Sequence, residues 1–136
     1  MADRQFHRRE CQGIRHVEYA FRVQYVAGAP QFVEGDTVGA LAGSYVTLAQ
    51  TGAGVLTVTT TQAFPGFVGM SYGWSLATPT GNSIANQGKP VQNANNTWSI
   101  TCNTYTNAAG THSAATPLNG DELHITLILR NSSVKP

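Results

Sequence analysis

The chemically versatile side chains of this chain are four histidines, two cysteines and seven carboxylates, and their spacing decides what they could do. His7, His16, His112 and His124 never fall into HxH, HxxH or HExxH spacing, so no local zinc motif is present. Cys11 and Cys102 are too few for a four-thiolate site or a disulfide framework, and two isolated thiols are expected. Cys102, His112 and His124 could meet only through the fold. The carboxylates are Asp3, Glu10, Glu18, Glu34, Asp36, Asp121 and Glu122. Glycoside hydrolysis needs two of them across a cleft. Glu18 could oppose Glu122 only under one particular strand pairing, where Arg22 or Arg130 would neutralise them. No serine sits in GxSxG, and TGAG at 51–54 lacks the Lys-Ser/Thr and the helix of a phosphate loop. Asp121, in NGDE, reads most simply as a turn residue entering the last strand. Catalytic residues, a cofactor and a metal are therefore not expected.

Binding is the better prospect, and charge shows where. Arg4, Arg8, Arg9, Arg15 and Arg22 crowd the first 22 residues, whereas Lys89 is the only charged residue between Thr37 and Gly120. Only 11% of the chain is charged, against about a quarter or more of an ordinary soluble surface. Threonine, serine, asparagine and glutamine must cover the neutral span. Such a surface is cheap to desolvate, and interface cores are likewise poor in Lys, Glu and Asp. Extensive contact with a partner is expected over plain solvation. In RQFHRRECQGIRH, Arg4, Phe6, His7, Arg8, Arg9 and Arg15 are the leading contact candidates, with Lys89 in the polar stretch 78–96 as a second choice. Arginine forks suit phosphate as well as carboxylate. Four arginines offset by Asp3 and Glu10 make a modest footprint for nucleic acid, so a protein surface is the expected partner.

These residues need elements to hold them. Residues 1–16 lack periodicity and read as a basic, extended N-terminal arm; residues 17–136 read as a single domain. VEYAFRVQYV alternates, with Val17, Tyr19, Phe21, Val23 and Tyr25 on one face and Glu18, Arg22 and Gln24 on the other. AGAPQFVEGD reads as a connection. GSYVTLAQ and GVLTVTTTQAF read as strands around the TGAG turn. The stretch 78–96 reads as a long loop with one short strand near Val91. TWSITCNTYT alternates again, 107–120 reads as a second long connection, and ELHITLILR is the last strand. No helical period is sustained, and no apolar run approaches a membrane span. The fold expected is all-β: an antiparallel β-sandwich, with the jelly roll among the topologies the spacing allows. The basic N-terminus has no apolar run behind it, so no secretory leader is expected, and the sequons at Asn95 and Asn131 are read as chance matches.

One strand departs from ordinary alternation. In VGMSYGWSLA (68–77), Val68, Met70, Tyr72, Trp74 and Leu76 alternate with glycine, serine and alanine. The large residues should fill the core. Gly69, Ser71, Gly73 and Ser75 leave the other face bare, and glycine within a strand marks close approach of another surface more readily than exposure to water. That surface could be an intramolecular loop or a neighbouring subunit, and self-assembly is expected through these four residues or through the polar face of the last strand.

ADRQF at 2–6, GVLTVTTTQAFPGFVG at 54–69 and NAAGTHSAATPLNGDELHITLILRNSSV at 107–134 resemble small virion structural proteins of tailed bacteriophages, of the head decoration or cement type. The resemblance covers about half the chain and carries no active-site motif. It implies a β-sandwich without catalytic residues or cofactors. It further implies a homo-oligomer, dimer or trimer, that clamps the major capsid protein or other virion proteins at the capsid surface, after assembly in the host cytoplasm. A tail or fibre module and a carbohydrate-binding sandwich are the alternatives; the second would need Trp74, Trp98 or Tyr105 exposed over a groove.

Overall fold

The computed structural model describes residues 16–33, 45–77, 83–108 and 111–131. Ten strands run through them: β1 His16–Val26, β2 Ala29–Phe32, β3 Val46–Gly52, β4 Val55–Thr60, β5 Gly66–Ser75, β6 Ser83–Gln87, β7 Val91–Gln92, β8 Trp98–Ala108, β9 Thr111–Ala114 and β10 Glu122–Arg130. All pairings are antiparallel. One sheet has the order β2-β1-β10-β5; the other runs β3-β4-β8-β6, with β7 and β9 also on β8. The chain is an all-β domain of two packed antiparallel sheets, a β-sandwich. It crosses between the sheets after β2, β4, β5 and β9, which brings the sequence-distant β1 and β10 side by side.

Alternation builds the core. β1 turns Phe21, Val23 and Tyr25 inward, and β10 adds Leu123, Ile125, Leu127 and Leu129. From the facing sheet come Val46, Leu56, Val58, Ile100 and Cys102, all fully buried. Removing such side chains from water supplies the main driving force, about 1.5–3 kcal/mol for each large aliphatic or aromatic group. Aromatic contacts close one end: Tyr19 stacks on Tyr45 at 4.8 Å between ring centroids, and Phe64 meets Tyr19 edge-on at 6.0 Å. The buried hydroxyls of Thr60 and Thr104 are both hydrogen-bonded to backbone. Thr60 Oγ1 accepts from Trp98 N–H at 2.9 Å and donates to Gln62 O at 3.0 Å. Thr104 Oγ1 donates to Ala115 O at 2.6 Å.

Several expectations need correction. The connection 27–36 contains β2, reached through a two-residue turn in which Ala27 and Gly28 have φ of 50° and 81°. Two positive values match a type I′ hairpin, usually signalled by Asn-Gly. Here alanine occupies the first position, and Asn119 Oδ1 accepts its N–H at 3.2 Å. The stretch 78–96 holds β6 as well as the expected short strand at Val91, and 107–120 holds β9. Both added strands are poor in β-branched and aromatic residues, and each is placed by pairing with the long β8. β1 begins at His16, so that residue belongs to the sheet and not to the arm; Arg4, Phe6, His7, Arg8, Arg9 and Arg15 lie outside the described residues. Val68 does not fill the core. A bulge opposite Ile128 and Leu129 sets Phe67 across from Leu129 and Gly69 across from Ile128, leaving Val68 51% exposed.

Candidate interaction surface

Pairing on both sides of β10 arranges the outer face of the first sheet in rows. Glu18, Ile128 and Gly69 form one row, followed by Ala20, Thr126 and Ser71, then Arg22, His124 and Gly73, then Gln24, Glu122 and Ser75. Small side chains dominate the β5 margin. A Cβ built on Gly69 or Gly73 meets no atom within 4 Å. No described segment therefore covers these positions, and the intramolecular loop envisaged for that role is not found among the described residues. Among the described residues, the bare face predicted from the 68–77 pattern is present and open at Gly69 and Gly73.

Polar groups gather at one end of this face. Arg22 Nη1 lies 3.6 Å and His124 Nε2 3.5 Å from Glu122 Oε2, and Ser75 Oγ is 3.3 Å from the same His124 nitrogen. A serine, a histidine and a glutamate in contact invite comparison with a nucleophilic triad. In a triad the carboxylate holds one ring nitrogen while the other activates the hydroxyl. Here both neighbours converge on Nε2, so the carboxylate cannot orient the ring towards the serine from its far side. The cluster is a surface charge network. The proposed carboxylate pair also fails geometrically. Glu18 faces Ile128 and Gln24 faces Glu122, which separates Glu18 from Glu122 by six positions of the ladder, about 20 Å at 3.3 Å per residue. Glycoside hydrolysis works with carboxyls about 5–9.5 Å apart. Arg22 pairs with Glu122 even though the strand pairing under which Arg22 or Arg130 would neutralise a Glu18–Glu122 pair does not occur.

Cys102 and His124 do not converge, because Cys102 points into the core and His124 out of the opposite sheet. Among the described residues no three of His, Cys, Asp and Glu gather as a metal ion would require. Cys102 is a free thiol, and burial pushes its pKa from 9.0 up to about 12. Tyr25 beside it is raised as well, first by burial and then by the charge Cys102 would carry; its hydroxyl donates to Gln50 Oε1 at 3.1 Å. An acid whose folded pKa lies above its unfolded value contributes full stability below the unfolded value and loses it as pH rises towards the folded one. Unfolding midpoints should thus hold steady to about pH 8 and fall between about pH 9 and 12, while native Cys102 resists alkylation at pH 8. A midpoint unchanged through pH 11, or rapid alkylation of Cys102 in the folded protein, would contradict this burial.

Lys89 is exposed, next to Gly88, whose N–H donates to Thr101 O of β8 at 2.8 Å. It therefore lies in the connection between β6 and β7 of the second sheet and is not brought together with Gly69, Ser71, Gly73 and Ser75. The outer face of that second sheet carries the neutral hydroxyl and amide surface. Thr51 meets Thr57 at 3.2 Å, Thr59 meets Ser99 at 3.1 Å, and Asn103 Nδ2 donates to Asn86 Oδ1 at 3.0 Å. Trp98 lies inward, packed against Phe67, with its indole N–H donated to Phe64 O at 2.9 Å. Trp74 also packs on the core; its buried Nε1 has no hydrogen-bond partner among the described residues. Neither tryptophan forms an outward platform for a sugar.

Ala20, Thr126, Ile128 and the Arg22–Glu122–His124 group belong to the same surface. Alternation within each strand already directs Arg22 of β1 and His124, Thr126 and Ile128 of β10 outward. What the local sequence does not mark is the register of β1 and β5 on β10, which sets these residues in shared rows. In the comparisons with known proteins, no family model, no curated protein and no solved structure matches the chain.

Proposed function

We propose that the protein is a structural, non-catalytic virion component of the decoration or cement kind, binding a phage capsid where shell subunits meet. The observation that carries this reading is the nearly featureless β5 margin, which no described residue covers at Gly69 and Gly73. Glycine inside a strand sacrifices stability, and close seating of a second surface offsets that loss. The neutral hydroxyl surface of the other sheet supports the same reading, since it is cheap to desolvate. The phage assignment itself comes from the resemblance of the three sequence segments.

The work done is binding without chemistry. Internal pressure from packaged DNA pulls at the seams between shell subunits. A sandwich seated across a seam resists opening, and the basic residues of 1–15 extend the contact to a second subunit. Contacts linked in one molecule act at high effective concentration, so release requires all of them to fail together. The partners are the major capsid protein or neighbouring virion proteins, and the site of action is the capsid surface after assembly in the host cytoplasm. Among the described residues no helix is long and apolar enough to cross a membrane. The inward tryptophans count against the carbohydrate-binding alternative. The testing experiment is uptake of the purified protein by phage heads stripped of it, read by co-sedimentation, with Gly69→Lys alongside the native chain.

A further inference from the structure

The ends of the two sheets are not equally protected. β2 is four residues long and contains Pro30, which has no N–H to offer a neighbour. β3 is interrupted by a register shift between Gln50 and Gly52, and the Gln50 amide donates to Gly52 O at 2.8 Å. β6 has five residues. β5 is the exception. It has ten residues without a charge or a proline, and among the described strands it pairs with β10 alone. Proteins ordinarily blunt such an edge with lysine, proline, a bulge or a covering segment. The one irregularity here lies at Phe67–Gly69, leaving Gly69–Ser75 as a regular seven-residue run.

We propose that this edge is a self-association seam, on which β5 of one copy pairs antiparallel with β5 of a second copy about a two-fold axis at Tyr72. The register follows from the strand. Centring on Tyr72 uses the whole regular run and opposes Met70 with Trp74, Ser71 with Gly73, and Gly69 with Ser75. Opposed residues share a face, so the inner faces of both copies stay on one side and two four-stranded sheets become one of eight. Met70, Tyr72 and Trp74 pack against the core yet are only half-buried in the single chain. In the pair, Met70 gains the partner's indole and Tyr72 gains the partner's Tyr72, cross-strand contacts of the kind that stabilise sheets. On the outer face, glycine and serine meet serine and glycine, with neither bulk nor charge to keep the strands apart.

A second copy fits better than an unrelated strand. The two-fold automatically matches length, parity and large-to-large pairing, and an uncharged strand has no like charge to set against its own copy. Closed two-fold pairs are also the commonest form of self-association. This seam stands on the strand itself and not on the capsid reading, because it concerns the isolated protein.

The test is the mass of the purified protein by sedimentation velocity and native mass spectrometry. The native chain is expected as a dimer at micromolar concentration. Combining Ser71→Lys with Gly73→Lys puts lysine opposite lysine across the seam, on a face where a side chain at Gly73 meets open space; the product is expected as a folded monomer with an unchanged circular dichroism spectrum. The matching pair Ser71→Glu and Gly73→Glu should also be monomeric, and mixing the two should restore a dimer of mixed mass. A native chain that stays monomeric to about 100 μM, or forms a trimer, would overturn the seam. So would a lysine variant that remains dimeric, or a mixture that fails to reassociate.

Discussion

Gly54→Ala is expected to cost about 3–5 kcal/mol, a large share of the about 5–15 kcal/mol that holds a domain of this size together. Two effects combine. Gly54 has φ of +69°, where a side chain is strained. An added Cβ would also collide with Thr104 O and lie 2.7 Å from Ala115 N. Those atoms are bonded to each other, Ala115 N–H donating to Thr104 O at 3.0 Å, while Thr104 N–H donates to Gly54 O at 2.8 Å. The methyl group would thus enter the junction where the β3–β4 hairpin meets β8, and its neighbours are backbone that cannot rotate away. Gly28→Ala separates the two effects. Gly28 has φ of +81° but open space around it, so strain alone should cost only about 1 kcal/mol. Urea unfolding of both variants checks the difference; equal losses would mean that the junction is looser than its distances imply.

Asp121→Ala should cost about 3 kcal/mol by the same assay. Asp121 is 2% exposed, and its carboxylate accepts Ala77 N–H and Leu118 N–H, each at 3.0 Å. Alanine takes the charged acceptor from two part-buried N–H donors and releases the chain beyond β5 from the turn that enters β10. Asp121→Asn keeps the shape but turns an amide NH₂ towards one of those donors, so about half of the loss should return. Full recovery with asparagine would show that shape, and not the second acceptor, is what the site requires.

How far such features were legible depends on whether their cause is local. β1 and β10 could be read directly, because one face is apolar at every second residue and the other is not. Asp121 was recognisable as a turn residue from NGDE. The β2 hairpin was not, since Ala27-Gly28 lacks the usual Asn-Gly signal and its alanine is held in place by Asn119, 92 positions away. β6 and β9 are equally opaque, because their placement belongs to β8. Exposure of Val68 results from a bulge defined by two strands at once, which alternation within one strand cannot reveal. The candidate surface divides in the same way. The outward direction of Gly69, Ser71, Gly73 and Ser75 follows from alternation, whereas its openness and its neighbours on β10 and β1 follow only from register. Lys89 stood out by charge alone, and its place beside the other sheet follows from the pairing of its neighbours with β8.

Co-sedimentation with heads stripped of the protein tests the central claim, that the bare sheet face exists to be covered. The native chain should pellet with the heads at a fixed, saturable ratio. Gly69→Lys changes one outward position where the added Cβ meets nothing, so it should fold normally yet bind about a hundredfold more weakly, because a lysine caught in a close-packed contact is buried without a partner. If the native chain stays in the supernatant, or the lysine variant pellets at the same ratio and the same concentration, then this face is not the contact surface.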